Sequence, residues 1–270
     1  MSDNDDVQVG RILSRREVLV LMGAAGTAMT IAACAPGAAA SPSGAVATGS
    51  SAAATSSTQI ATSSELAGAP SCVVSPALTE GPYFVDEKLQ RSDITASADG
   101  SNIRPGAPLT LAFAVSTVAA SGCTPLANAL IDVWHCDAVG SYSDISAGGN
   151  GSNTTGQNWL RGYQLTDSAG KATFKTIYPG WYQGRTVHIH FKIRTNAGTS
   201  GGTEFTSQLF VDDAISDAVF ANAPYSSKGT RGVRNNGDSI YGQSGGQLTL
   251  ALAGDASSGF TTTFEVGLQG

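Results

Sequence analysis

The chain is short of histidine, of clustered positive charge and of long apolar runs, and each shortage narrows what it can be. Only three histidines occur in 270 residues, and Lys plus Arg number 15 against 21 Asp plus Glu, for a net charge of −6. An acidic domain without clustered Lys and Arg is a poor binder of nucleic acid, and most of its charges read as a solvated face. No internal repeat, coiled-coil heptad or glycine-rich nucleotide loop is present, which argues against solenoids, helical rods and phosphate-cradling folds. The apolar stretch Leu19 to Ala33 falls short of the roughly twenty residues that cross a bilayer.

That stretch follows Ser14-Arg-Arg-Glu-Val-Leu19, which resembles a twin-arginine motif, so the first 34 residues read as an export signal. Ile31-Ala-Ala-Cys34 resembles a lipobox; lipidation of Cys34 would leave a lipid-anchored protein at the cell surface. Ordinary cleavage nearby would release a soluble secreted one. Of the 36 residues from 35 to 70, 31 are Ala, Gly, Ser, Thr or Pro. Such a segment buries too little apolar surface to order itself and reads as a disordered linker. Residues 71–270 then form one domain.

Three cysteines remain in that domain: Cys72, Cys123 and Cys136. An exported protein can carry a disulfide, but an odd count leaves a thiol over. Cys123 and Cys136 flank a strand whose extended length separates them too far to bond. Cys72 is therefore expected to pair with one of them, and the sequence leaves the choice open.

Leu109, Leu111, Phe113 and Val115 alternate as a half-buried strand does. Further strands read at Ala129–His135, Lys171–Phe174, Val187–Arg194, Ser207–Val211, Gln247–Leu252 and Thr261–Val266. Loops are expected at Ala147–Gln157, Asn196–Gly202 and Asn235–Gly246, and a short helix at Asp212–Ala221. The pattern predicts an all-β, two-sheet β-sandwich with long loops.

Chemistry concentrates in Tyr178-Pro-Gly-Trp-Tyr-Gln-Gly-Arg-Thr-Val-His-Ile-His-Phe191. His188 and His190 stand two apart among Val187, Ile189, Phe191 and Ile193, so in a strand both emerge on one face. An H-x-H alone is more often hydrogen-bonded or solvated than metal-binding. Here Tyr182 and Arg185 lie just upstream, and a second segment, Leu130 to Ser143, delivers Tyr142 from a strand through a Gly-containing turn.

With Thr79-Glu-Gly-Pro-Tyr-Phe84, Arg91-Ser-Asp-Ile94 and Ser207-Gln-Leu-Phe210, these blocks run in one order from about Cys72 to the C-terminus. In that order they resemble the intradiol ring-cleavage dioxygenases, non-haem Fe(III) enzymes that open catechols between the hydroxyl-bearing carbons to cis,cis-muconates. The resemblance implies Tyr142, Tyr182, His188 and His190 as iron ligands. It implies Arg185 as the residue that stabilises charge on the substrate, Gln208 as an active-site glutamine and Tyr182 as a ligand that also accepts a proton. Pro82 and Tyr83 are implied as walls of the substrate pocket, although Tyr83 could equally be core packing. The family's core fold is the same sandwich, and its members are often dimers or larger, so a homo-oligomer is in keeping with it.

The donor types suit the ion. Fe(III) is hard and highly charged and favours anionic oxygen over soft sulfur, with imidazole acceptable. Two tyrosinates and a hydroxide would cancel its charge, and two neutral histidines complete the shell without adding any. Two other readings compete. In one, His188 and His190 combine with Asp137 or Glu80 around zinc or Fe(II). In the other, the chain is an extracellular binding module without turnover.

Overall fold

The computed structural model describes residues 73–146, 153–196 and 202–270. The export signal, Cys34, the linker and Cys72 all lie outside the described residues. So do most of the loop expected at Ala147–Gln157 and most of that at Asn196–Gly202.

β1 (Pro108–Ala119) is the axis of one sheet. It pairs in parallel with β9 (Gly259–Gln269) on one side. On the other side it is antiparallel to β5 (Lys171–Ile177) over its first half and to β2 (Gly122–Pro125) over its second. The short β8 (Ala253–Asp255) extends the sheet beyond β9. The second sheet is antiparallel throughout, in the order β4 (Arg161–Leu165), β3 (Leu130–Trp134), β6 (His188–Arg194), β7 (Glu204–Phe210).

The sheets meet through alternate residues, because successive side chains of a strand point to opposite faces. Leu109, Leu111, Phe113 and Val115 of β1 share one buried cluster with Ile131 and Val133 of β3 and Ile189, Phe191 and Ile193 of β6. The ring centroids of Phe113 and Phe191 lie 5.3 Å apart across the interface. The sandwich read from the alternation is therefore the fold.

In β6 the opposite face is buried as well, and it carries His188, His190 and Lys192. A covering segment before β1 makes this possible. The backbone of Leu78 donates to Thr206 of β7, and Ser207 Oγ donates to the Pro76 carbonyl. Further along, Tyr163 of β4 donates to Leu89 and accepts from Arg91. Glu80 pairs with Lys192, whose ammonium lies 4.1 Å from the centre of the Phe84 ring.

Two expectations change. Gln247–Leu252 is not a strand; Leu248 and Leu250 are buried, but the segment makes a single bridge, Phe210 to Thr249. It emerges from a turn at Gly245 and Gly246, and β7 ends where it arrives. The loop expected at Asn235–Gly246 holds a 3-10 turn and a helix, α2 (Ser239–Ser244), capped by the Asp238 carboxylate. α1 (Asp213–Phe220) forms as read, with Asp212 as its N-cap. Of the two cysteines left open, Cys123 is disulfide-bonded and Cys136 is a buried free thiol.

Truncating the ring that links the sheets tests this packing. Phe191→Ala should lower the unfolding free energy by about 3–5 kcal/mol, as loss of a fully buried phenyl does. Urea unfolding measures it, and a loss under about 1 kcal/mol would mean that Phe191 does not join the two sheets.

Candidate metal centre

His188 and His190 leave β6 toward the covered face, and strand register fixes their neighbours. His190 stands opposite Trp134 of β3 on one side and Gln208 of β7 on the other. Its imidazole stacks on the Trp134 indole with centroids 5.0 Å apart and planes within 7°. Gly81 of the covering segment passes over the ring at φ +73°, and a Cβ there would come within 3.1 Å of the His190 ring. Only glycine fits that approach comfortably.

Tyr142 arrives from the turn after β3. Asp137 builds that turn, with Oδ1 accepting from Val139 N and Ser141 N at 3.1 and 2.9 Å. Gly140 sits at φ +85° with no room for a Cβ, which would lie 2.1 Å from the Trp181 carbonyl oxygen. Beyond the turn, buried Arg161 donates to the Ser143 carbonyl and hydroxyl, and Thr154 Oγ1 donates to the Tyr142 carbonyl. Tyr182 comes from the β5–β6 connection. The two phenol rings lie 5.7 Å apart, and Tyr83 stacks on Tyr142 at 4.5 Å and meets Tyr182 edge-on at 5.8 Å. Tyr83 thus covers both tyrosines, while Pro82 beside it is exposed.

The donor atoms converge. Tyr182 Oη lies 3.2 Å from His188 Nε2, which lies 3.1 Å from His190 Nε2. His188 Nδ1 donates to the Thr186 carbonyl at 2.6 Å, so the neutral ring keeps its Nε2 lone pair facing inward. Tyr142 Oη is buried and has no hydrogen-bond partner among the described residues. A buried phenol oxygen without a partner, on a ring packed against Tyr182 and His190, is a costly arrangement for a purely structural cluster. It suits a cation that takes these atoms as ligands. The set is two oxygens and two nitrogens without sulfur, as a hard trivalent ion prefers.

Electrostatics agree with a cluster that is neutral on its own. Burial pushes both phenols up, and for Tyr142 the neighbouring Tyr182 adds to the effect. Arg185 opposes it, favouring the phenolate form of each. Burial pushes His188 down to about 3, reinforced by Arg185, and His190 well below its usual value. A bound cation inverts this for phenols by stabilising the anion. Cys136 packs against the tyrosines, but burial pushes its thiol up and its Sγ donates to the Gly180 carbonyl at 3.5 Å. It stays a thiol rather than a ligand.

Arg185 is held at two of its nitrogens. Nε donates to Asp238 Oδ2 at 2.8 Å and Nη2 to Gln208 Oε1 at 2.7 Å. Gln208 is fully buried, and its Nε2 donates to the Thr79 carbonyl, which fixes the amide. Tyr142, Tyr182, His188, His190, Arg185, Gln208 and Tyr83 are thus brought into one neighbourhood.

The zinc or Fe(II) reading is corrected. Asp137 is occupied in its turn and pairs with Arg104, and Glu80 pairs with Lys192. No group of three or more His, Cys, Asp or Glu that could hold a metal occurs among the described residues. His135 stands apart from the donors, bonded to Thr176 Oγ1 at 2.7 Å and to the Cys136 carbonyl at 2.8 Å, as a structural histidine. A groove of about 540 Å³ near Leu89, Arg91 and Ile103 is lined by none of the four donors.

Sequence reasoning passed over Trp134 as a stacking partner, Arg161 as a loop clamp and Asp238 as an anchor for Arg185. Asp238 had a signal, since Asp-Ser-Ile-Tyr241 reads as an N-cap leading into a helix. Arg161 had none, because its partner is the backbone of a distant loop.

The sequence model of the family described as Dioxygenase matches residues 79–227, just over half of the chain. Catechol 1,2-dioxygenase 2 of Acinetobacter lwoffii is 28% identical over 156 residues, 51% of each protein. The chain thus spans about half the length of the curated relatives it matches. Among solved structures, an intradiol ring-cleavage dioxygenase from Tetranychus urticae superposes with a TM-score of 0.62 at 27% identity. That match covers 73% of this chain and 95% of the other. The dioxygenase domain of a carbohydrate-binding fusion from Streptomyces sp. SirexAA-E gives 0.50 at 29% identity, covering 73% and 99%.

Burial of His135 makes stability depend on pH. Its pKa is pushed down to about 4 in the folded chain, while the unfolded value is about 6.5. A lowered folded pKa stabilises above the unfolded value, and that contribution is lost as pH falls from about 6.5 to about 4. The slope is at most about 1.4 kcal/mol per pH unit. Asp132, pushed up to about 6 by burial against the pull of Arg194, titrates with the opposite sign. The measurement is therefore the difference between wild type and His135→Gln in chemical unfolding at several pH values. The variant should show the shallower rise of stability between pH 4 and 6.5; parallel curves would mean His135 is not held neutral.

Proposed function

This chain belongs to the intradiol ring-cleavage dioxygenase family, and from that premise we propose that it uses Fe(III) and O₂ to cleave a catechol-type diol to a cis,cis-muconate-type diacid. One observation carries the reading: the donor atoms of Tyr182, His188 and His190 meet at 3.1–3.2 Å, the buried Tyr142 ring packs against Tyr182 and His190, and no cluster of His, Cys, Asp or Glu that could compete for a metal occurs among the described residues. Tyr142, Tyr182, His188 and His190 would hold the ferric ion. Bound there, it supplies a Lewis acid that draws electron density from the diolate ring.

The chain's own groups do the rest. Held as a tyrosinate by the ion, Tyr182 would be the group that accepts a proton from the incoming diol, leaving as the neutral phenol that donates to His188 in this structure. Tyr142 is held by its clamped loop and keeps its place. His188 stays in one tautomer through Thr186. Arg185, fixed by Asp238 and Gln208, presents a guanidinium that stabilises negative charge developing on the ring as it meets O₂. Tyr83 and Pro82 form the wall against which an aromatic ring lies. Both atoms of O₂ enter the diacid, so no external reductant is required. Export, with or without a lipid at Cys34, is part of the same proposal and rests on Ser14–Leu19 and Ile31–Cys34 in the sequence.

Purified iron-loaded protein should be red-brown from tyrosinate-to-Fe(III) absorption, hold about one iron per chain and consume O₂ with catechol to give the diacid. Tyr142→Phe should bleach or shift the band, and His190→Ala should lose iron. Arg185→Leu should keep iron and lose about 100-fold in kcat, typical for removing one preorganised charge-stabilising donor. Visible spectra, metal analysis and an oxygen electrode read these outcomes. Colourless but metal-replete protein, or a product cleaved outside the diol, would contradict the reading.

A further inference from the structure

Asp238 lies far from the donor segments in sequence, 53 residues beyond Arg185, yet its side chain is only 1% exposed and reaches the site. Its two oxygens accept four N–H groups. Oδ2 takes Arg185 Nε at 2.8 Å and Thr186 N at 2.9 Å, and Oδ1 takes Ile240 N at 2.8 Å and Tyr241 N at 3.0 Å. A carboxylate offers about four acceptor positions, so this one is saturated. Thr186 is bound a second time from the same segment, its hydroxyl donating to Asn235 Oδ1 at 2.7 Å. Asn235 in turn donates to the Val211 carbonyl just beyond β7.

The two residues that Oδ2 holds serve different parts of the site. Arg185 carries the guanidinium, which is planar and rigid, so fixing Nε and Nη2 fixes the direction of the third nitrogen. Among the described residues Nη1 has no protein partner, and that corner remains for a ligand. Thr186 carries the carbonyl that receives His188 Nδ1–H, and anchoring its amide anchors the peptide that orients the imidazole.

We infer that Asp238 is a positioning residue that aims Arg185 at the diol and, through Thr186, aims His188 at the metal. The inference rests on the function proposed above. Asp238 touches neither substrate nor metal; it acts through the two groups it holds.

Asp238→Asn separates this role from helix capping. Asn caps a helix as well as Asp does, but it carries no charge and only one oxygen to share among four donors. Asp238→Ser is the second variant, because Ser also caps yet is too short to reach Arg185. Asp212→Asn, at the N-cap of α1 away from the site, is the control. Both Asp238 variants should lose tenfold or more in kcat for catechol with KM within about threefold, as expected for lost transition-state stabilisation. They should also release iron to a chelator several-fold faster, and Asp238→Asn, which keeps the cap and one acceptor oxygen, should remain cooperatively folded as Asp212→Asn does. Arg185→Lys keeps the charge but loses the fork. Combined with Asp238→Asn it should lower kcat little further than Asp238→Asn alone, because Arg185 is one of the two groups Asp238 holds.

Wild-type kcat and iron release in the Asp238 variants would overturn the assignment, as would losses that multiply in the double variant. Failure of both Asp238 variants to fold while Asp212→Asn folds would make Asp238 a scaffold residue and also overturn it. Wild-type protein that binds no iron or turns over no diol would sink the functional reading itself, a distinct result.

Discussion

The register of β6 between β3 and β7 is the constraint on which the rest depends. Side chains alternate along a strand, so one register sends Ile189, Phe191 and Ile193 into the core and His188 and His190 to the covered face. A slip by one residue would reverse the two sets. It would bury imidazoles among aliphatic side chains and take both histidines away from Tyr142 and Tyr182. The hydrophobic contact between sheets therefore fixes where the histidines point, and the same register sets Trp134 and Gln208 on either side of His190.

On that foundation the site is built by segments of irregular backbone, each tied down by buried polar groups. Asp137 and Arg161 hold the loop carrying Tyr142, the covering segment brings Tyr83 and Gly81, and Asp238 reaches back from the N-terminus of α2 to Arg185 and Thr186. Irregular backbone can be buried here because its polar groups are bonded. The donors themselves are the exception. Burial favours neutral phenols and neutral imidazoles, and among the described residues Tyr142 Oη lacks the hydrogen bond that protects other buried groups. A trivalent cation would resolve both conditions together, since it stabilises phenolates and uses the lone pairs.

Much of this was legible in the chain because it depends on period and spacing. Leu109 to Val115 declared the central strand by alternation, and the H-x-H of β6 declared its face. Asp212 announced α1 by its capping chemistry. The rest depends on distant partners. β4 is five residues long, and its Arg161 is explained only by Ser143, which folding alone brings near. Leu248 and Leu250 have the apolar content of a strand, but the neighbour they meet ends after one bridge. The choice between Cys123 and Cys136 was not readable, and the structure has Cys136 as a buried free thiol that donates to the Gly180 carbonyl. Asp238 is the instructive case, for its capping role was readable and its hold on Arg185 was not.

The central claim is that one ferric ion binds two phenolates and two imidazoles drawn from separate segments. The most direct measurement is an anomalous-scattering map of iron-loaded crystals collected on either side of the iron absorption edge. The account predicts one strong peak bonded to Tyr142 Oη, Tyr182 Oη, His188 Nε2 and His190 Nε2. A peak elsewhere, or one that any of these four side chains does not reach, would contradict it.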